Sequence, residues 1–243
     1  MSVTAGPAET EVASRGRRAL PSSATPPRPT LYKRLGYNAL HTFCRLTGVL
    51  GFGLRIFGRE KTPKTGAALV CMNHQSHFDP LLAGITLDVR VSFLAKRSLF
   101  DVPVIKHIIE YLDSIPVDRE GSAFSAMKEA LKRLKRGEQV GLFPEGTRTR
   151  DGEIAPLKPG FTMIAKRAGV PIIPIAMDGA YQAWPRTRPF PRFTQITVVI
   201  GDLISAADVE RLTDAELLAE VERRMRDCHA QARRYRQSCH SSQ

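Results

Sequence analysis

His74 and Asp79 stand five residues apart in the segment Asn73-His74-Gln75-Ser76-His77-Phe78-Asp79. Arg148 closes a second segment, Phe143-Pro144-Glu145-Gly146-Thr147-Arg148. An imidazole with one ring nitrogen held by a carboxylate keeps the other nitrogen free to take a proton. Residues five apart diverge by about 140° on an ideal helix, so the pair meets only if His74 lies in a loop and Asp79 in the first turn beyond it. In the second segment Pro144 ends a strand ladder, Gly146 permits close backbone approach, and Arg148 presents a planar fork of donors suited to phosphate. Thr147 and Arg150 can add donors. Together the segments describe proton abstraction beside an anion site. The plainer alternatives are a structural His-Asp pair and a polar turn in which Glu145 and Arg148 merely pair.

His77 invites a metal reading, with His74, His77 and Asp79 as three ligands. That spacing matches no strong zinc signature, and no second Cys, His or Glu cluster completes it. His77 is read instead as a loop residue near the pocket. The four cysteines, Cys44, Cys71, Cys228 and Cys239, show no C-x-x-C pair, which speaks against a zinc ribbon or disulfide framework and fits a reducing compartment. Gly-x-Gly-x-x-Gly, Walker A and Gly-x-Ser-x-Gly patterns are absent. Direct attack by a substrate hydroxyl is favoured over a covalent enzyme intermediate.

The elements that must position these residues alternate in type. Apolar or β-branched runs at 67–72, 91–95, 115–117, 139–143, 172–176 and 195–200 read as strands. Stretches at 81–87, 104–112, 122–136 and 161–167 read as helices, the third carrying Phe124, Met127, Leu131 and Leu134 as its apolar stripe and stopping at Gly137. The alternation predicts an α/β layered domain with a largely parallel central sheet flanked by helices. His74 then projects from the carboxyl end of the strand over 67–72, where open α/β sheets place their ligands. The segment from Phe143 to Arg148 arrives at the same edge. Thr213-Asp214-Ala215-Glu216 resembles a capping box opening a charged, solvated C-terminal helix.

At 243 residues the chain can bury a full core as one catalytic domain. Its net charge is +12, and residues 1–64 hold 11 Lys and Arg against 3 Asp and Glu. Such an excess points to a polyanion. Residues 1–30, rich in Ala, Ser, Thr and Pro, read as a disordered tail and lack a secretory-signal pattern. Over 31–60 a helical wheel gathers Lys33, Arg34, Arg45, Arg55 and Arg59 on one side. Leu35, Phe43, Leu46, Leu50, Leu54 and Phe57 gather on the other. That describes an amphipathic segment in a membrane interface, preceding the domain over 61–243. Gly48, Gly51 and Gly53 leave open a break into two helices, and an ordinary core-packing helix is the plainer alternative. Arg45 and Arg55 interrupt the longest apolar stretch, so no bilayer-spanning helix is expected.

With both segments in place, the chain resembles the 1-acyl-glycerol-3-phosphate (lysophosphatidate) acyltransferase family of glycerolipid acyltransferases. His74 and Asp79 match its H-x-x-x-x-D motif, and residues 143–148 match its F-P-E-G-T-R block. Ala95-Lys96-Arg97 through Ile115-Pro116-Val117-Asp118-Arg119 looks like its second block, and Val170-Pro171-Ile172-Ile173-Pro174-Ile175-Ala176 like its fourth. The resemblance implies that His74 is the general base, that Asp79 orients it, and that the glycerol 2-hydroxyl attacks a thioester carbonyl. It implies that Arg148, with Glu145, Gly146 and Thr147, holds the acceptor phosphate. It sets Arg119, Lys96 and Arg97 beside phosphate or the developing oxyanion. No metal or organic cofactor is expected beyond the donor, acyl-CoA or acyl-carrier protein. The expected partners are the donor, a lysophospholipid acceptor and an anionic membrane surface, with the enzyme peripheral or monotopic on the cytoplasmic face of the cell membrane. Acylation of another lysolipid, such as a lyso-ornithine lipid, is the alternative within enzymes. A catalytically silent membrane-binding module is the alternative outside them, and charge alone, with no recognisable motif, does not support a nucleic-acid binder.

Overall fold

The computed structural model describes residues 31–96, 115–117 and 123–240. The tail over 1–30, the helix expected over 104–112, Arg97 and Arg119 lie outside them. The described strands are β1 (Arg55–Phe57), β2 (Ala68–Met72), β3 (Val91–Lys96), β4 (Ile115–Val117), β5 (Gln139–Leu142), β6 (Ile172–Asp178) and β7 (Thr197–Ile200). The helices are α1 (Leu31–Phe52), α2 (Asp79–Thr86), α3 (Ala123–Lys135), α4 (Gly160–Ala168), α5 (Ala180–Ala183), α6 (Ala206–Arg211) and α7 (Asp214–His240).

The strands form one sheet in the order β1-β7-β6-β2-β5-β3-β4. From β6 to β4 all neighbours are parallel. β7 runs antiparallel to β6, and β1 follows β7 in parallel. Every residue of β2 and β6 is buried, which is why these strands read as unbroken apolar runs: a parallel sheet is covered on both faces. The pleat divides them. Leu69, Cys71, Ile172 and Ala176 join a core with Leu134 of α3, Phe161 and Ile164 of α4, and Leu217, Val221 and Met225 of α7. Ala68, Val70, Met72, Ile173, Ile175 and Met177 join a second core with Leu82 and Ile85 of α2 and Cys44 of α1. The result is the layered α/β arrangement read from the sequence.

Two elements differ from expectation. α1 runs unbroken through Gly48 and Gly51 and stops at Phe52, where Gly53 turns the chain at φ +48°. Its inner face is narrow: Cys44 is buried, and a side chain at Gly48 would touch Leu54 and Ile85. Phe43, Leu46 and Leu50 are 62%, 55% and 76% exposed, so the apolar face of this helix does not serve the core. Beyond the stop, the wheel no longer applies. Leu54 is buried and Arg55 lies in edge strand β1. Arg59 donates to the Ile85 carbonyl at 2.6 Å and pairs with Asp88 at 3.1 Å.

The second difference is α7. Its amino end carries the expected capping box, with Glu216 N–H donating to Thr213 Oγ1 and Thr213 N–H donating to Glu216. It is not merely solvated, however. One face lies over β6 and β7 and buries Leu217, Val221, Met225, Cys228, His229 and Ala232. The exposed side carries pairs at helical spacing, including Arg223 with Asp227 and Glu222 with Arg226.

Candidate active site

β2 ends at Met72, and Asn73 takes the place of a further strand residue. Its buried amide donates to the Met177 carbonyl at 3.0 Å and accepts from the Met177 N–H at 2.8 Å. The main chain is thereby released from the sheet at His74 while β6 stays paired. On the other side of β2, β5 delivers residues 143–148 to the same edge, as read from the sequence.

The His74 loop is held from several directions. Glu145 Oε1 accepts from the His74 N–H at 2.7 Å, and Thr149 N–H donates to the His74 carbonyl at 2.8 Å. His74 Nδ1 lies 2.6 Å from Asp79 Oδ2. That oxygen also accepts from the N–H groups of Gln75 at 2.5 Å and Ser76 at 2.7 Å. Asp79 is fully buried at the first residue of α2, where the helix dipole favours negative charge. The imidazole stacks on Phe143 with centroids 4.1 Å apart and planes at 16°. Phe143 in turn stacks on Phe93, whose ring lies where a side chain on Gly141 would project. With Nδ1 taken by the carboxylate and one ring face covered, Nε2 is the nitrogen left for chemistry. The loop geometry required by the five-residue spacing is the one found.

Glu145 sits differently from its place in the expected binding set. It is 2% exposed, and its second oxygen accepts from the Ala155 N–H at 2.9 Å. Burial pushes its carboxyl above the usual range, opposed by hydrogen bonds from His74 and Ala155. Both oxygens are therefore engaged inside the protein, where they tie one segment to the other; Arg148 is not their partner.

Gly146 turns the chain at φ +70°, with its N–H on the Phe143 carbonyl. A side chain there would meet Lys158 Nζ at 2.8 Å, so an ammonium that the motifs did not single out lies over the turn. Thr147 is exposed. Arg148 Nη1 lies 2.7 Å and 2.8 Å from the two ring nitrogens of His77. Burial and the Arg148 charge hold the His77 imidazole below its ordinary pKa, and it also bonds to the backbone of Arg186. A neutral His77 can accept from Arg148 and orient it. Lys96 ends β3, two strands from β2.

Gln75, Trp184 and His229 brace the site although no motif marks them. Gln75 Nε2 donates to the Gly152 carbonyl at 2.7 Å and lies 3.2 Å from His229 Nε2 on α7. Ser76 Oγ and the His77 N–H both donate to the Trp184 carbonyl. Trp184 is the sole tryptophan, which is the signal that could have drawn attention to it. Among the described residues no three His, Cys, Asp or Glu side chains form a group able to hold a metal ion.

A buried carboxylate orienting an imidazole, with a guanidinium at the same sheet edge, defines a site for proton transfer on an anionic substrate. The acyltransferase family model matches residues 53–178. The chain is 31% identical over 185 residues to the 1-acyl-sn-glycerol-3-phosphate acyltransferase of Bacillus subtilis, covering 76% of this chain and 88% of that one. It is 32% identical over 129 residues to the protein of that name from Borreliella burgdorferi, covering 52% of each. A chloroplastic protein of that name from Brassica napus is 33% identical over 133 residues, of which the match covers 54% of this chain and 38% of the other. The crystal structure of the 1-acyl-sn-glycerophosphate acyltransferase PlsC from Thermotoga maritima superposes with a TM-score of 0.70 at 28% identity, covering 81% of this chain and 79% of that one. The chain belongs to the acyltransferase family, within its 1-acyl-glycerol-3-phosphate acyltransferase group.

Proposed function

We propose that the protein transfers a fatty acyl group from acyl-CoA or acyl-carrier protein to the 2-hydroxyl of 1-acyl-glycerol-3-phosphate, giving phosphatidate. The observation that carries this reading is the His74–Asp79 contact at 2.6 Å on the sheet edge that also bears Arg148. In this reaction His74 Nε2 takes the hydroxyl proton as the oxygen attacks the thioester carbonyl. The tetrahedral intermediate collapses, the C–S bond breaks, and the thiolate takes up the proton. Asp79 holds the tautomer and steadies the imidazolium. Arg148, with Gly146 and Thr147, binds the acceptor phosphate, and Arg119, Lys96 and Arg97 supply further positive charge. Glu145 supports this binding by holding the turn. A thioester is already activated for acyl transfer, so the step is complete without a metal or organic cofactor.

The acceptor and product are lipids, and the reading places the enzyme on an anionic membrane, peripheral or monotopic, at the cytoplasmic face. The exposed Phe43, Leu46 and Leu50 of α1 support it, since burying such side chains yields about 1.5–3 kcal/mol each when complete. Among the described residues no helix is long and apolar enough to cross a membrane.

The test is acyl transfer from labelled acyl-CoA, and separately from acyl-carrier protein, to a panel of lysolipids by wild type and His74→Ala. Transfer to lysophosphatidate that disappears in a folded variant is expected. Transfer confined to another lysolipid would redirect the acceptor. Vesicle binding without turnover on either donor would leave a silent membrane module.

A further inference from the structure

Between α5 and β7 the chain reads Pro185-Arg186-Thr187-Arg188-Pro189-Phe190-Pro191-Arg192-Phe193. Phe193 and Phe190 are 83% and 77% exposed, the most exposed large apolar side chains among the described residues. They are not on a loose tether. Arg192 N–H donates to the Ala183 carbonyl at 2.8 Å, Trp184 Nε1 donates to the Arg188 carbonyl at 3.0 Å, and Arg188 Nη1 donates to the Gln182 carbonyl at 3.1 Å. Three prolines stiffen the segment further. The protein thus holds two phenylalanines out of its core on a pinned scaffold. They are not isolated either. Phe193 lies 5.4 Å from Phe52 at the carboxyl end of α1, the helix that also exposes Phe43, Leu46, Val49 and Leu50. Arg186 and Arg192 have no carboxylate partner among the described residues.

We propose that the loop over 185–193 is a second membrane-docking element, in which Phe190 and Phe193 enter the acyl region of an anionic bilayer and Arg186, Arg188 and Arg192 meet lipid phosphates. Apolar tips flanked by guanidiniums that have no carboxylate partner among the described residues match a surface with hydrocarbon under a layer of negative charge. A polynucleotide would satisfy the arginines and leave Phe190 and Phe193 in water. The loop is joined to the reaction site. Its root, Trp184, accepts hydrogen bonds from Ser76 and His77 and packs edge-on to Phe78 at 4.9 Å. Docking therefore fixes the orientation of the His74 loop relative to the lipid surface. This inference rests on the reading of the acceptor as a membrane lipid.

The experiment is sedimentation of the full chain with vesicles of phosphatidylcholine alone or mixed equally with phosphatidylglycerol. The proteins are wild type, Phe190→Ser/Phe193→Ser and Arg188→Gln/Arg192→Gln, each checked for folding by circular dichroism. The phenylalanine variant is expected to partition about tenfold or more weakly on the mixed vesicles. The arginine variant should weaken there and lose much of its salt sensitivity. On a short-chain lysophosphatidate dispersed as monomer the phenylalanine variant should turn over like wild type, and on vesicle-embedded acceptor it should slow. Brominated lipids should quench Trp184 in wild type, which covers the case of a variant that fails to fold. Unchanged partitioning of both folded variants, an unquenched Trp184 in bound protein, or tighter binding to single-stranded polynucleotide than to anionic vesicles would overturn the proposal. Wild type that binds vesicles through the loop yet acylates nothing would sink the acyl-transfer reading and spare the loop. Acylation of vesicle-embedded acceptor at wild-type rate by both variants would do the reverse.

Discussion

Asp79 Oδ2 receives three donors, two of them backbone N–H groups, so its position is set by the loop it serves. Replacing it by asparagine puts an amide among those donors and frees the imidazole to adopt the other tautomer. Asp79→Asn is expected to lower kcat by about 10²–10⁴ with a far smaller change in acceptor KM, as steady-state kinetics would show. Glu145 and Arg148 should separate in the same assay. Arg148→Ala should raise KM for a phosphate-bearing acceptor. Glu145→Gln presents an amide to two backbone donors, His74 N–H and Ala155 N–H, and should cost roughly 1–3 kcal/mol in urea unfolding. It should also lower kcat, because His74 moves with its main chain. A rise in KM alone for Glu145→Gln would return Glu145 to direct substrate contact.

The elements show how sequence patterns carry and lose information. The capping box at Thr213 and Glu216 was legible, and Thr213→Ala should reduce stability by about 1 kcal/mol by chemical denaturation. β2, β5 and β6 were legible because parallel strands covered on both faces read as apolar runs, and His74 was legible because it follows such a run. The end of α1 was not: Leu54, Arg55, Phe57 and Arg59 continue the helical wheel, and only the backbone turn at Gly53 shows that the helix has stopped. The buried side of α7 was hidden by arginines such as Arg223 and Arg226, which are exposed while Val221, Met225 and Cys228 face the sheet. The inward role of Glu145 was illegible in principle, since its partners are backbone groups of His74 and Ala155, and no residue type marks them. Phe190 and Phe193 are distinguished by exposure and not by spacing, so no sequence pattern marks them.

For the molecule as a whole, α7 is fastened to the sheet at Asp178, the last residue of β6. Arg236 donates to one carboxylate oxygen, and His229 Nε2 lies 3.5 Å from the other. Burial alone would raise this carboxyl, but the hydrogen bonds and charges of His229 and Arg236 outweigh it and bring it to about 2. A depressed carboxyl stabilises the fold fully above its unfolded value, about 4, and loses that contribution as pH falls toward 2. The stabilisation is on the order of 2 kcal/mol. Asp178→Asn should flatten the fall in stability between pH 4 and pH 2, measured by thermal unfolding across that range. The reversal of β7 and β1 relative to the other five strands has a consequence of its own. Thr197 opens β7 opposite Asp178, where β6 closes, and Arg55 opens β1 beside Thr197. Entrances to two strands thus share one rim with the exits of the others, and whatever precedes those entrances is delivered there as well. α1 precedes β1, and the loop over 185–193 precedes β7. In a sheet of uniform polarity these apolar segments would emerge a strand's length away from the imidazole. On the proposed reading, strand direction, a property with no chemistry in it, is what would let a headgroup reach the base while the tail stays in its leaflet.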